Sequence, residues 1–236
     1  MEHILLPDRK ERPLVFYLAM EEYVAQRFGS GFFTWSVAPT VIFGRNQDME
    51  AEVNLPYCRE NGIALVRRKS GGGCVYADRG NLMLSCVTPG TGVEAAFAAY
   101  LERFAGVLRA AGFDAVSTAH NDILVRGRKV SGGACLVRSG ACIVHGTLLC
   151  NVDLERMERA ITPSQEKLAA KGIRSVRQRV VNLCSGTDAP TQEQLAVRLA
   201  AAFTDGQRLL DAADLRRIAE IEKSYLDPAF SFGKLR

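Results

Sequence analysis

The sequence predicts an α+β fold with mixed, largely antiparallel sheets packed with helices. Three observations predict it. Apolar runs near residues 63–67, 74–77, 82–88, 122–126, 129–137 and 141–149 are short and broken by Gly- and Pro-containing turns, as strands are. Two long apolar stripes at helical spacing, 14–28 and 93–111, stand apart from them. From Asp153 the chain reads as mostly helical, at about 153–160, 191–204 and 212–225. Strand hairpins with segregated helices belong to α+β architecture.

Taken in order, Arg12-Pro13 is well placed to start the first helix, with Leu14, Leu18, Tyr23 and Val24 on its stripe. Gly29-Ser30-Gly31 ends it in a turn. Phe32–Val37 and Thr40–Phe43 read as strands paired about Ala38-Pro39, followed by a Gly44-Arg45-Asn46-Gln47 loop and a short helix within 51–61. Pro89-Gly90-Thr91-Gly92 breaks the next group of strands. The helix over 93–111 places Val93, Phe97, Leu101, Phe104 and Leu108 near one stripe. Strands then recur on either side of Arg126-Gly127.

The 236 residues are 47% apolar and 24% charged, an ordinary globular composition. The length allows one large domain, 1–205, with a helical extension over 206–236. No run of 18 apolar residues predicts a membrane span, and the N-terminus lacks a basic region followed by an apolar core. The seven cysteines are odd in number, scattered and free of C-x-x-C pairs. They read as reduced, mainly buried thiols of a cytoplasmic protein, not as a zinc site. The net charge of +4 is mild, and the basic residues gather at 67–69, 126–129 and 171–179. Basic residues otherwise this dispersed do not favour a nucleic-acid surface, and a positive rim would suit an acidic partner.

The most informative stretch is Arg67-Arg68-Lys69-Ser70-Gly71-Gly72-Gly73-Cys74, three glycines after three cations. Glycine lets backbone N–H groups approach a ligand closely, and a concave run of them favours anions. A solvated hairpin turn is the plainer reading. A second stretch, His120-Asn121-Asp122-Ile123-Leu124-Val125-Arg126-Gly127-Arg128-Lys129-Val130-Ser131-Gly132-Gly133, reads as two strands joined at Arg126-Gly127. A third is His145-Gly146-Thr147-Leu148-Leu149, and a fourth runs from Lys171-Gly172-Ile173 to Arg179-Val180-Val181-Asn182-Leu183.

Together and in this order, the four motifs resemble the lipoate–protein ligase A family over roughly residues 12–205. The resemblance implies a sheet-centred catalytic domain shared with biotin ligases. It implies activation of lipoate by ATP and Mg²⁺ to lipoyl-AMP, then transfer to a lysine of an acceptor. The implied acceptors are apo lipoyl domains of 2-oxoacid dehydrogenase E2 subunits, or glycine cleavage H protein. No tightly bound prosthetic group, nucleic acid or membrane is implied. Lys129 is the implied catalytic residue, contacting the lipoyl carbonyl and the phosphate of the acyl-adenylate. Asp122 is the candidate Mg²⁺ ligand, with Asn121 beside it. Arg68, Ser70, Gly71, Gly72, Gly73, Asn81, Ser131, Gly132, His145, Gly146 and Thr147 are the remaining candidates for holding lipoyl-AMP. Lys171, Arg174, Arg177 and Arg179 form a basic loop for phosphates or the acceptor, or a solvated face.

Three departures qualify the resemblance. His120 stands where the family usually has arginine. The segments 116–119 and 161–165 lack the cysteine that related acyltransferases use, and Cys135 reads as a structural thiol. The accessory domain of full-length ligases is not recognisable after residue 205. Alternatives therefore stay open: an ATP-independent octanoyl or lipoyl transferase, or a lipoyl-adenylate transfer or binding subunit that needs a partner chain.

Overall fold

The computed structural model describes residues 1–90, 92–119, 121–162, 179–186 and 189–233. Two sheets organise them. The larger follows the order β11-β1-β2-β6-β10-β9-β8-β7. Its strands are β1 (Glu2–Leu5), β2 (Gly31–Trp35), β6 (Asn81–Pro89), β7 (Ala115–Ser117), β8 (Asp122–Val125), β9 (Arg128–Arg138), β10 (Ala141–Leu149) and β11 (Gly206–Leu209). The smaller is β4-β3-β5, from β3 (Thr40–Phe43), β4 (Ala64–Arg67) and β5 (Val75–Ala77). The α+β expectation, with mixed and mostly antiparallel pairing, is borne out.

Helices cover both faces of the large sheet. On one face α1 (Leu14–Arg27) packs beneath α7 (Ala212–Leu226) and fills a core with Phe33, Met83, Val87 and Ile143. On the other, α4 (Val93–Ala110) and α6 (Gln192–Phe203) enclose Phe32, Leu84, Val144 and Leu148. Short helices α2 (Met49–Glu52), α3 (Leu55–Glu60) and α5 (Leu154–Ala160) back the small sheet through Val41, Tyr57 and Met157. A final turn, α8 (Pro228–Ser231), follows α7. Side-chain caps fix the starts: Thr191 with Gln194 and Asp211 with Asp214 form reciprocal boxes, and Asp153 caps α5.

Several local expectations need correction. β2 and β3 do not pair with each other; Pro39, which lacks an N–H, lies in the turn that carries the chain from the large sheet to the small one. The glycine segment does not close a hairpin, because β3 lies between β4 and β5. Val93 is exposed rather than on the buried stripe of α4. Residues 206–236 are not purely helical. Their first four residues form β11, which pairs in parallel with β1 and so extends the main sheet.

Two features of β9 position the site. Arg126 and Gly127 both have positive φ, 51° and 73°, the conformation a two-residue hairpin needs between right-twisted strands. The register with β8 then shifts: Leu124 faces Lys129, but Ile123 faces Ser131. Val130 is the extra residue of a β-bulge. In a regular strand Lys129 and Gly132 would face opposite sides. The bulge puts them on one side, with Ala134 and away from Cys135.

Candidate functional site

A cavity of about 890 Å³ opens between the two sheets and α1. Leu14 and Leu18 of α1, Trp35 of β2, Ile42 of β3, Val75 of β5 and Met83 of β6 make an apolar wall. Asn121, Asp122, Lys129, Thr147 and Arg179 make its polar part, with Gly72 and Gly73 also on the lining. Such a cavity suits an amphiphile with an alkyl tail and an anionic head.

Lys129 Nζ lies 2.7 Å from Asp122 Oδ1, and Arg179 holds the other Asp122 oxygen. Two cations thus share one carboxylate, and the surplus positive charge faces the cavity. Gly132 is what lets the lysine lie there. A Cβ at this position would sit 2.4 Å from Lys129 Nζ and 3.3 Å from Asp122 Oδ1. Asn121 adopts φ of 63°, which asparagine tolerates, and its carbonyl accepts the Gly133 N–H at 3.0 Å. Both Asp122 oxygens are engaged by cations. Among the described residues no group of three or more His, Cys, Asp or Glu stands ready for a metal. A divalent ion here would need most of its ligands from phosphate and water.

The cations before the glycines have a different role from the one their spacing suggests. Arg68 is 5% exposed, and it clamps its own loop. Its guanidinium donates to the carbonyls of Gly71 (2.6 Å), Gly73 (2.8 Å) and Ile42 (3.3 Å) and to Ser70 Oγ (3.1 Å). Burial pushes its pKa down to about 10. Arg67 donates to the carbonyls of Arg45, Gln47 and Gly233, and Lys69 pairs with Glu22 at 2.7 Å and lies over the Tyr225 ring. With the Gly71 and Gly73 carbonyls turned toward Arg68, the trans peptides turn the N–H groups of Gly72 and Cys74 the other way. The 44–47 loop braces the glycines from below: Arg45 N–H bonds the Ser70 carbonyl at 3.0 Å, and a Cβ on Gly44 would lie 2.3 Å from the Gly72 oxygen.

Of the candidates, Arg68, Gly72, Gly73, Asn121, Asp122, Lys129, Gly132, His145, Gly146 and Thr147 line the cavity. Ser70, Gly71, Asn81 and Ser131 do not. Ser70 lies behind the loop, 2.7 Å from His145 Nε2. Asn81 is fully buried in the turn at the start of β6, where its Oδ1 accepts the Asp78 N–H at 3.1 Å. Ser131 is buried in the β8–β9 pairing. His120, Lys171, Arg174 and Arg177 fall outside the described residues. Cys135 packs into the core beside α4, and burial with the nearby Cys142 raises its thiol to about 12.

Sequence reasoning missed Trp35, Leu14 and Leu18 on the wall, and Glu21, Glu22 and Ser85 behind it. Two adjacent carboxylates inside an otherwise apolar helix were the available signal. Both are 1% exposed. Glu21 holds His145 Nδ1 at 2.8 Å, while Glu22 gathers Lys69, Arg138 and Tyr225.

Comparisons with known proteins fit this geometry. Residues 13–204 match the model of the lipoyl protein ligase A/B catalytic domain. The lipoate-protein ligase LplJ of Bacillus subtilis is 37% identical over 175 residues, 72% of this chain and 53% of that protein. Lipoate–protein ligase 1 of Staphylococcus aureus is 39% identical over 170 residues, 70% and 52% of the two chains. The chain thus spans about half the length of the curated relatives it matches. Among solved structures, a bi-partite lipoate protein ligase from Thermoplasma acidophilum superposes with a TM-score of 0.86 at 27% identity, covering 100% of this chain and 98% of that one. A lipoate-protein ligase A bound with ATP gives 0.84 at 25% identity, covering 100% of both chains. The cavity, the lysine hairpin and the matched residues lead to one conclusion: the chain belongs to the lipoyl protein ligase A/B catalytic domain family.

Proposed function

We propose that this protein is a lipoate–protein ligase that activates lipoate with ATP and transfers the lipoyl group to a lysine of an acceptor domain. The observation that carries the reading is the pairing, in one cavity, of an apolar wall with a cationic end centred on Lys129. The dithiolane and alkyl chain lie along Leu14, Leu18, Trp35 and Met83. The carboxylate reaches Lys129. An oxygen of that carboxylate attacks the α-phosphorus of ATP, the bond to the β-phosphate breaks, and pyrophosphate leaves. Lys129 offsets the repulsion between the two anions by leaving Asp122 for the new negative charge, and Arg179 remains to neutralise Asp122. The N–H groups of the glycine loop supply further donors toward the phosphate. Asp122 would hold a Mg²⁺ ion in this cluster, and the ion would supply screening of the triphosphate charge. In the second half-reaction the acceptor's ε-amine attacks the acyl carbonyl, loses a proton, and AMP departs with the bonding pair. The acceptor is the apo lipoyl domain of an E2 subunit or glycine cleavage H protein; the Thermoplasma structure is described with its E2 lipoyl domain, which supports the first.

The bi-partite description of that same relative favours a second reading, in which a partner subunit is needed for adenylation. One experiment separates them. A purified apo lipoyl domain is incubated with this protein, lipoate and Mg²⁺, with and without ATP, and weighed by intact mass spectrometry. An ATP-dependent lipoyl mass gain that Lys129→Ala abolishes supports the complete ligase. Gain with synthetic lipoyl-AMP but not with ATP supports the transfer half. No gain in either arm sinks both.

A further inference from the structure

Behind the cavity wall a chain of buried side chains links its two ends. Trp35 Nε1 donates to Ser85 Oγ at 2.9 Å, and Ser85 Oγ donates to Glu21 Oε1 at 2.6 Å. From the other end, Arg68 Nε meets Ser70 Oγ at 3.1 Å, Ser70 Oγ meets His145 Nε2 at 2.7 Å, and His145 Nδ1 meets Glu21 Oε2 at 2.8 Å. Trp35, Ser85, Glu21, Ser70 and Arg68 are all buried, the two serines and Glu21 at 2% exposure or less.

The proton positions follow from chemistry. Indole N–H and guanidinium N–H are donors only. Each serine therefore accepts at one side. Ser85 gives its proton to Glu21. A carboxylate only accepts, so the imidazole Nδ1 carries a proton and points it at Glu21. Glu21 thus gathers donors from both ends of the chain.

This arrangement looks like an activated serine, yet Ser70 does not line the cavity, so it has no acyl group to meet. Its neighbours in the chain do have partners there. Trp35 is part of the apolar wall, and Arg68 grips the carbonyls of Gly71 and Gly73. We propose that Glu21 is a positioning residue that makes the acyl wall and the glycine loop one unit, so that the seat of Trp35 sets the loop over the anionic head. The inference deepens the ligase reading of the same cavity. The coupling is carried by a continuous hydrogen-bonded path whose two ends both lead to Glu21.

The test uses the full chain labelled with ¹⁵N. Imidazole spectra of the wild type should show His145 protonated on Nδ1. In Glu21→Gln, which removes the carboxylate that the Nδ1–H faces, the Nδ1 resonance should move. In Trp35→Phe, which keeps an aromatic wall but removes the donor, the amide resonances of Gly71, Gly72 and Gly73 should move. Calorimetric lipoate affinities of Trp35→Phe, Ser70→Ala and the double variant should be non-additive, the double losing roughly tenfold less than the product of the singles. A bare Nδ1 on His145 in the wild type, unmoved glycine amides in Trp35→Phe, or an additive cycle overturns the proposal. If the wild type binds no lipoate while the Nδ1 proton and the amide shifts are as expected, the relay stands and the lipoate reading falls.

Discussion

Gly132→Ala isolates the position of Lys129 from the stability of the fold. The added Cβ would sit 2.4 Å from Lys129 Nζ and 2.7 Å from its Cε. Ordinary contact needs about 3.5 Å, so the ammonium must retreat by about 1 Å. The atoms in the way are the end of a flexible lysine and an Asp122 oxygen at 3.3 Å, not backbone. Gly132 also lies outside the positive-φ region, so alanine brings no backbone strain. The Lys129–Asp122 pair is largely buried, but the retreat lengthens it rather than removing it and Arg179 keeps Asp122 paired, so the loss is on the order of 1 kcal/mol. Alanine in place of glycine inside a strand returns about 0.5–1 kcal/mol. The two offset one another, and Tm should move by less than about 4 °C. Chemistry should suffer far more, because a 1 Å misplacement of a positioned group costs about a hundredfold. Thermal unfolding is measured beside kcat/KM for lipoylation of an apo lipoyl domain. Wild-type kcat/KM in a normally folded Gly132→Ala would refute the claim that Lys129 must sit where the bulge places it. A collapse in Tm would refute the claim that only the lysine gives way.

Other outcomes follow from the same geometry. Lys129→Ala should lower kcat/KM by about 10²–10³ with Tm nearly unchanged, and Lys129→Arg should rescue it poorly, since a planar fork does not replace a compact ammonium between Asp122 and the substrate. Gly146→Ala should behave in the opposite way to Gly132→Ala: its Cβ would lie 2.5 Å from the hydroxyl of Tyr100, which is buried and rigid, so denaturant unfolding should report a loss of about 1–3 kcal/mol. Cys74→Ala should change ligation by less than about tenfold; a loss of about 10³ or more would instead reveal covalent catalysis at the one cysteine among the described cavity-lining residues. Burial and the hydrogen bond to Asp214 raise Tyr23 to about 12. Because the raised group is neutral in its favoured form, the α1–α7 contact should keep its full stability below pH 10 and lose it as pH climbs toward 12. A chemical-denaturation series across that window checks it, with Tyr23→Phe flattening the loss.

The local grammar of this chain was strong enough to set much of its structure. Turn chemistry at Arg126-Gly127 and the apolar runs around it located β8, β9 and β10 to within about a residue, because a two-residue turn with positive φ leaves few alternatives. The same stretches carried the family resemblance and the placement of Lys129 in the site. Short strands at the two ends of the sheet order were illegible: β1, β7 and β11 have three or four residues each, and what makes them strands is the partner they lie against. The pairing of β2 with β6, rather than with β3, likewise depends on residues some fifty positions apart.

The site shows the division most sharply. By sequence alone, three cations before three glycines read as an anion trap. The tertiary structure decided where those cations point. Arg67 and Arg68 turn inward to carbonyls, since a buried guanidinium must satisfy its own N–H groups, and Lys69 turns to Glu22. Strand parity was settled the same way. One extra residue, Val130, puts Lys129 beside Gly132 and sends Cys135 into the opposite core. A bulge is a misfit between two strands, so it exists only once both are paired. The sequence by itself determined most of the elements, their turns and the candidate lysine; the paired sheets determined which way each side chain faces, because facing is a property of register and register needs a partner.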